Sequence, residues 1–157
     1  MTKRSVTHAT FVIERRYDAL PSVVFAAWAT PEAKRRWFVG SDEWQKSDHQ
    51  LDFRVGGREH VSGGPPGGPV HHFNATYQDI VPNERIVSTY DMQLDQTRIS
   101  VSLATVEFKP DGSGTRLIYT EQGAFLDAFD KPELREQGTR DLLDNLGKAL
   151  QHASAGA

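Results

Sequence analysis

The sequence predicts an α+β fold: a curved, seven-stranded antiparallel sheet wrapped around a long C-terminal helix, with two short helices between strands 1 and 2. Three observations carry this. Thr139 to Gln151, TRDLLDNLGKALQ, places Leu142, Leu143, Leu146, Ala149 and Leu150 on one helical face and Arg140, Asp141, Asp144 and Lys148 on the other. Much of the preceding chain alternates with the period of a strand. Short turn signals separate these stretches, at Gly56-Gly57, Val81 to Glu84 and Pro110 to Gly114, and short turns join antiparallel neighbours. A sheet with one apolar face and an amphipathic helix must bury those surfaces against each other.

Thr10 to Tyr17, TFVIERRY, is rich in β-branched and aromatic residues and reads as the first strand. Pro21 opens a first short helix, PSVVFAAWA, because its missing N–H costs nothing in a first turn. Thr30-Pro31-Glu32 starts a second, with Thr30 as the cap, and Gly40 ends it. From about Gln50 the period becomes two, with Leu51 and Phe53 alternating with Asp52 and Arg54. Strands follow over Arg58 to Val61, Val70 to Ile80, Arg85 to Met92, Arg98 to Phe108 and Thr115 to Glu121. Ser62 to Pro69, SGGPPGGP, reads as a mobile hairpin tip. Gln122 to Lys131 reads as irregular, and His152 to Ala157 as a frayed tail.

The chain of 157 residues is expected to form one domain over 1–157. A net charge of −3 with 25% charged residues argues against a nucleic-acid-binding surface. The absence of cysteine excludes disulfides, thiolate metal sites and cysteine nucleophiles. No apolar run reaches membrane-spanning length, and the basic start MTKRSVTHATF lacks the apolar stretch of a signal peptide. The expectation is a soluble, cytoplasmic protein without membrane insertion.

A sheet curved around a helix leaves a gap wherever the packing residues are small. Gly138 and Gly147 are such residues, although Gly138 could equally mark a bend or the helix start. Candidate lining residues are Trp37 and Phe38 from the second helix, then Trp44 and Phe53. Phe73, Tyr77, Tyr90, Met92 and Tyr119 come from the strands, Phe125 from beyond them, and Leu142 and Leu146 from the long helix. Phe129 is also expected to pack inward. Glu121 is the candidate acid or base, since alternation puts it on the face of Leu117 and Tyr119. Its alternative is a strand-end position reaching solvent or an arginine. His60, His71 and His72 flank the glycine-proline tip, but adjacent strand residues face opposite ways, so no metal site is expected. Neither a phosphate-binding loop nor a nucleophile elbow is present.

Five blocks carry a resemblance: PSVVFAAWATPEAKRRWF, LDFRVGGRE, ATYQDIVPNERIVSTYDM, TVEFKPDGSGTRLIYTEQGAF and LLDNLGKAL. Together they resemble the START-like helix-grip superfamily, also called SRPBCC, in the branch named for a domain of the heat-shock-chaperone ATPase activator. The likeness covers nearly the whole chain. The long amphipathic helix facing a meander, with surplus aromatics, points to a non-catalytic or weakly catalytic protein that holds a small apolar or amphipathic molecule between helix and sheet, without cofactor and with Ser62–Pro69 as the candidate gate. The superfamily implies an alternative, a cyclase or dehydratase on a polyketide-like or aromatic substrate, using Glu121, Tyr77, Tyr90 or a histidine. A third is a chaperone-interacting module, for which a chain of this length shows no additional segment. Self-association as a homodimer is compatible with each. Relatives often carry Gly-Trp at the start of the last helix. Here it is Gly138-Thr139, which opens that end of the cavity or shifts the filler to Phe125 or Phe129.

Overall fold

The computed structural model describes residues 3–39 and 45–155. Alternation governs strand β1 (Val6–Tyr17), which turns Phe11, Ile13 and Tyr17 inward and leaves Val12 exposed. Helices α1 (Pro21–Ala29) and α2 (Pro31–Phe38) each begin on a proline. The Thr30 side chain makes no capping hydrogen bond, so the start of α2 rests on Pro31 and on Glu32 in the first turn. Gly40 lies outside the described residues.

The remaining strands are β2 (Gln45–Leu51), β3 (Arg58–Gly64), β4 (His71–Val81), β5 (Arg85–Leu94), β6 (Thr97–Asp111) and β7 (Gly114–Leu126). They form the expected seven-stranded sheet in the order β1-β7-β6-β5-β4-β3-β2, antiparallel throughout. Helix α3 (Pro132–Ala155) packs on its inner face.

Several boundaries differ from the sequence expectation. Strand β2 begins at Gln45 rather than near Gln50, and Phe53 falls in the loop after it. Strand β3 runs into the glycine-proline stretch as far as Gly64, because its backbone pairs on both sides. Gln122 to Leu126 is strand, since β7 is hydrogen-bonded between β1 and β6, and that pairing overrides weak local propensity. Helix α3 begins at Pro132, which places Gly138 inside it rather than at its start, and it continues through Ala155 where fraying was expected.

The register sets side chains in rows across the inner face. One row reads Ala75, Tyr90, Ser102, Gly123; the next reads Tyr77, Ser88, Ala104, Glu121, Phe11. Small residues, Ser88 and Ala104, therefore occupy the middle of the second row. Toward its C-terminal half, α3 is held tightly by Leu143, Leu146 and Leu150. The Tyr17 hydroxyl donates to the Leu143 carbonyl at 2.8 Å. Gly147 permits this approach, because a Cβ there would lie 3.3 Å from the Tyr17 ring. No helix among the described residues is long and apolar enough to cross a membrane.

Candidate functional site: a cavity between helix and sheet

Where Ser88 and Ala104 of the sheet face α3, the packing opens into a cavity of about 440 Å³. Its floor includes Ser88, Ala104 and Val106, its side wall comes from α1 and α2, and its roof is α3. Ser62, Gly63, His71 and Asp130 also line it. Gly138 is in the roof, and a Cβ built on it would meet no atom within 4 Å.

Of the residues singled out in the sequence, Trp37, Phe38, Phe73, Tyr77, Tyr90, Met92, Tyr119 and Leu142 border this space. Three do not. Phe53 packs edge-on against Phe25 and Tyr77, with ring centroids 5.7 and 5.0 Å away. Phe125 is buried over Gly123 and lies 5.3 Å from the Arg135 guanidinium. Leu146 is fully buried in the core. Trp44 lies outside the described residues. Phe129 is 46% exposed rather than packed inward, so neither it nor Phe125 fills the space beside Gly138.

Two polar clusters adjoin the cavity. The first joins α2 to β3 and β4. Lys34 Nζ lies 2.6 Å from Glu59 Oε1, with side chains only 4% and 2% exposed. Tyr77 donates to the same oxygen at 2.9 Å, and His49 Nε2 is 2.8 Å from Glu59 Oε2. Burial pushes the Glu59 carboxyl up, but Lys34, His49 and Tyr77 together pull it below its ordinary value of 4.5. A carboxylate in that state makes His49 Nε2 the proton donor, and His49 Nδ1 is left buried without a partner among the described residues. The Lys34 ammonium also sits 4.2 Å from the Phe38 ring centroid.

Arg135 and Glu121 anchor the second cluster. Glu121 is 1% exposed, on the inner face as alternation implied. It accepts hydrogen bonds from Tyr90 at 2.6 Å and Tyr119 at 2.7 Å. Arg135 NH1 reaches Tyr90 Oη at 3.0 Å and Glu121 at 3.4 Å, while NH2 reaches Ser100 Oγ at 2.7 Å and Asp130 at 2.8 Å. Burial first, then the Glu121 charge, pushes both phenols above their ordinary value, so they stay protonated and donate. Burial lowers the Arg135 pKa, but its anionic and phenolic neighbours raise it further, so it remains a cation. Glu121 therefore lies behind the tyrosines rather than bare in the cavity, and it does reach an arginine.

The histidines divide as adjacent strand positions should. His71 lines the cavity, while His72 lies beside the His60 ring, with centroids 5.8 Å apart. His60 Nδ1 is hydrogen-bonded with Asn74 at 2.7 Å. Among the described residues no group of three or more His, Asp or Glu is placed to hold a metal ion.

Lys34, Glu59, His49, Arg135 and Ser88 were not anticipated. Two left a readable signal. Lys34 precedes Trp37 and Phe38 by three and four positions, which is one helical face. Glu59 alternates with Val61 and so shares its inward side.

The family model for Activator of Hsp90 ATPase homolog 1-like protein matches residues 18–151. An uncharacterized protein from Rhizobium leguminosarum of known structure is 48% identical, with a TM-score of 0.92 over 96% of this chain and 99% of its own. A protein from Rhizobium loti is also 48% identical, with a TM-score of 0.87 over 92% and 99% of the two chains. The AHSA1-like protein from Aeromonas hydrophila shares 20% identity and a TM-score of 0.67 over 93% of this chain and 94% of its own, a likeness of fold. No curated protein matches the sequence significantly.

Proposed function

The chain belongs to the Activator of Hsp90 ATPase homolog 1-like family, and on that premise we propose that it binds a small apolar or amphipathic molecule between α3 and the sheet. The observation that carries this is Gly138. A glycine inside a helix weakens it, and a packed core would use the position for a side chain. Here the position faces open space within a cavity of about 440 Å³, a size typical of small-molecule sites. The walls are mainly aromatic and aliphatic, with a few polar groups able to orient a guest.

The test is a panel of aromatic and lipid-like compounds, read as shifts in melting temperature and as changes in tryptophan fluorescence, since Trp28 and Trp37 border the space. Native mass spectrometry of the purified protein would detect a retained guest. Absence of any shift, together with an unchanged response in a Gly138→Phe variant, would remove the proposal.

A second reading, an acid–base enzyme acting on a cavity-bound substrate, draws on the Tyr90–Glu121–Tyr119 arrangement. Tyr90 gives its proton to Glu121 and accepts from Arg135, so a substrate at the cavity wall would meet a phenol relay backed by a buried carboxylate base. On this reading Tyr90→Phe abolishes turnover while binding persists. A variant that turns over normally ends it.

A further inference from the structure

We infer that the guest of this cavity is an uncharged, flat aromatic molecule bearing one hydrogen-bonding oxygen, an inference that rests on the binding reading above. What the walls leave unpaired decides the polarity of the guest. Lys34 is paired with Glu59. Arg135 is paired with Glu121 and Asp130, and each terminal nitrogen of its guanidinium serves two acceptors. His71 is held toward its neutral form by burial.

A charged guest meets these pairs badly. An anion near Lys34 lies beside the Glu59 carboxylate, and a cation near Glu59 lies beside the Lys34 ammonium. Either must break a buried pair or remain unmatched within apolar walls. Such a loss corresponds to about 100-fold or more in affinity. The same reasoning disfavours a fatty acid or a phosphorylated lipid.

The capacity left over is small and neutral: the Trp28 indole N–H has no partner among the described residues but is fully buried, and what remains are the serine hydroxyls of Ser62, on β3, and Ser88. Ser88 sits mid-floor between Tyr77 and Ala104, half-buried, and its hydroxyl has no hydrogen-bond partner among the described residues. The rings of Trp37, Phe38, Phe73, Tyr77 and Tyr90 line the same cavity. The Phe38–Phe73 and Phe73–Tyr90 centroids are 5.1 and 4.7 Å apart, so these rings already form an aromatic wall. A flat ring system gains edge and face contacts from such walls beyond its buried area. An oxygen on that ring satisfies Ser88.

The experiment titrates the purified full chain with 2-naphthol, 2-naphthoate, 2-naphthylmethylammonium and naphthalene, followed by NMR. The expected order is 2-naphthol tightest, with both charged analogues weaker by on the order of 100-fold. Ser88→Ala weakens 2-naphthol roughly five-fold and leaves naphthalene unchanged. Ser88→Thr, which keeps the hydroxyl, retains the preference for 2-naphthol over naphthalene. Equal binding of either charged analogue, or a Ser88→Ala protein that still prefers 2-naphthol, overturns the inference while leaving cavity binding intact. If none of the four binds and the wider panel is also silent, the binding reading itself falls.

Discussion

Replacing Gly138 by alanine tests the cavity without any ligand. The position lies inside α3, and its φ is not among the positive values recorded for Gly56, Gly67 and Gly112. Alanine is favoured over glycine in a helix interior by about 1 kcal/mol. No steric debit offsets this, because the added methyl meets nothing within 4 Å. The net expectation is about 1 kcal/mol of added stability, or a rise of roughly 2–4 °C in melting temperature for a chain of this size. Gly147→Ala provides the internal control. It has the same intrinsic gain in the same helix, but its methyl falls 3.3 Å from the Tyr17 ring, and that ring is tied to Leu143. Thermal unfolding by circular dichroism, on protein freed of small molecules, compares the two. Gly138→Ala should exceed Gly147→Ala. A Gly138→Ala protein no more stable than wild type would mean that the space is occupied, and the reasoning from small residues to cavity would fail.

Lys34→Met should cost about 3–5 kcal/mol in urea unfolding, because it leaves the buried Glu59 carboxylate without its cation. The double variant Lys34→Met/Glu59→Leu should lie much closer to wild type. The depressed Glu59 pKa contributes stability that is fully present above its unfolded value near 4.5 and is lost as pH falls through the lower folded value. The urea midpoint of wild type should therefore drop more steeply below about pH 4.5 than that of the double variant. Tyr17→Phe should cost about 1 kcal/mol, since only the hydrogen bond to Leu143 is lost and that carbonyl keeps its helical partner. Glu121→Gln should cost roughly 1–3 kcal/mol, because an amide N–H must replace one acceptor facing Tyr90 and Tyr119.

The fold was legible because each level of the sequence agreed. The α3 stripe, the alternating strands and the turns at Gly56, Asn83 and Gly112 all pointed to one sheet and its covering helix. The boundaries that differed share a cause. Gln122 to Leu126 and Ser62 to Gly64 become strand through pairing with distant partners, which local propensity does not register. The elements that supply the aromatic wall were readable, but the sequence did not separate wall from core, and Phe53, Phe125 and Leu146 pack away from the cavity. The polar members of the wall were not readable, because a lysine or arginine in an amphipathic pattern ordinarily marks the solvent side. Lys34 is buried only because Glu59, on a strand distant in sequence, meets it. Arg135 stood outside the expected helix and so had no face assigned. Ser88 owes its place to cross-strand register between Tyr77 and Ala104, which a single sequence does not display.

Taken together, the polar clusters answer a mechanical question that the cavity raises. A helix normally holds to a sheet through apolar contact along its length, and small central residues remove that contact over the first half of α3. The C-terminal half keeps it through Leu143, Leu146, Leu150 and the Tyr17 bond. In the N-terminal half, Arg135 spans the gap, reaching Tyr90 on β5, Ser100 on β6 and Glu121 on β7. Lys34 fastens α2 to β3 at the side wall in the same way. A long side chain with a charged head supports an opening that a bulky apolar one would fill. The buried ions are thus tied to the cavity they border, and each stays paired with a partner on a neighbouring element.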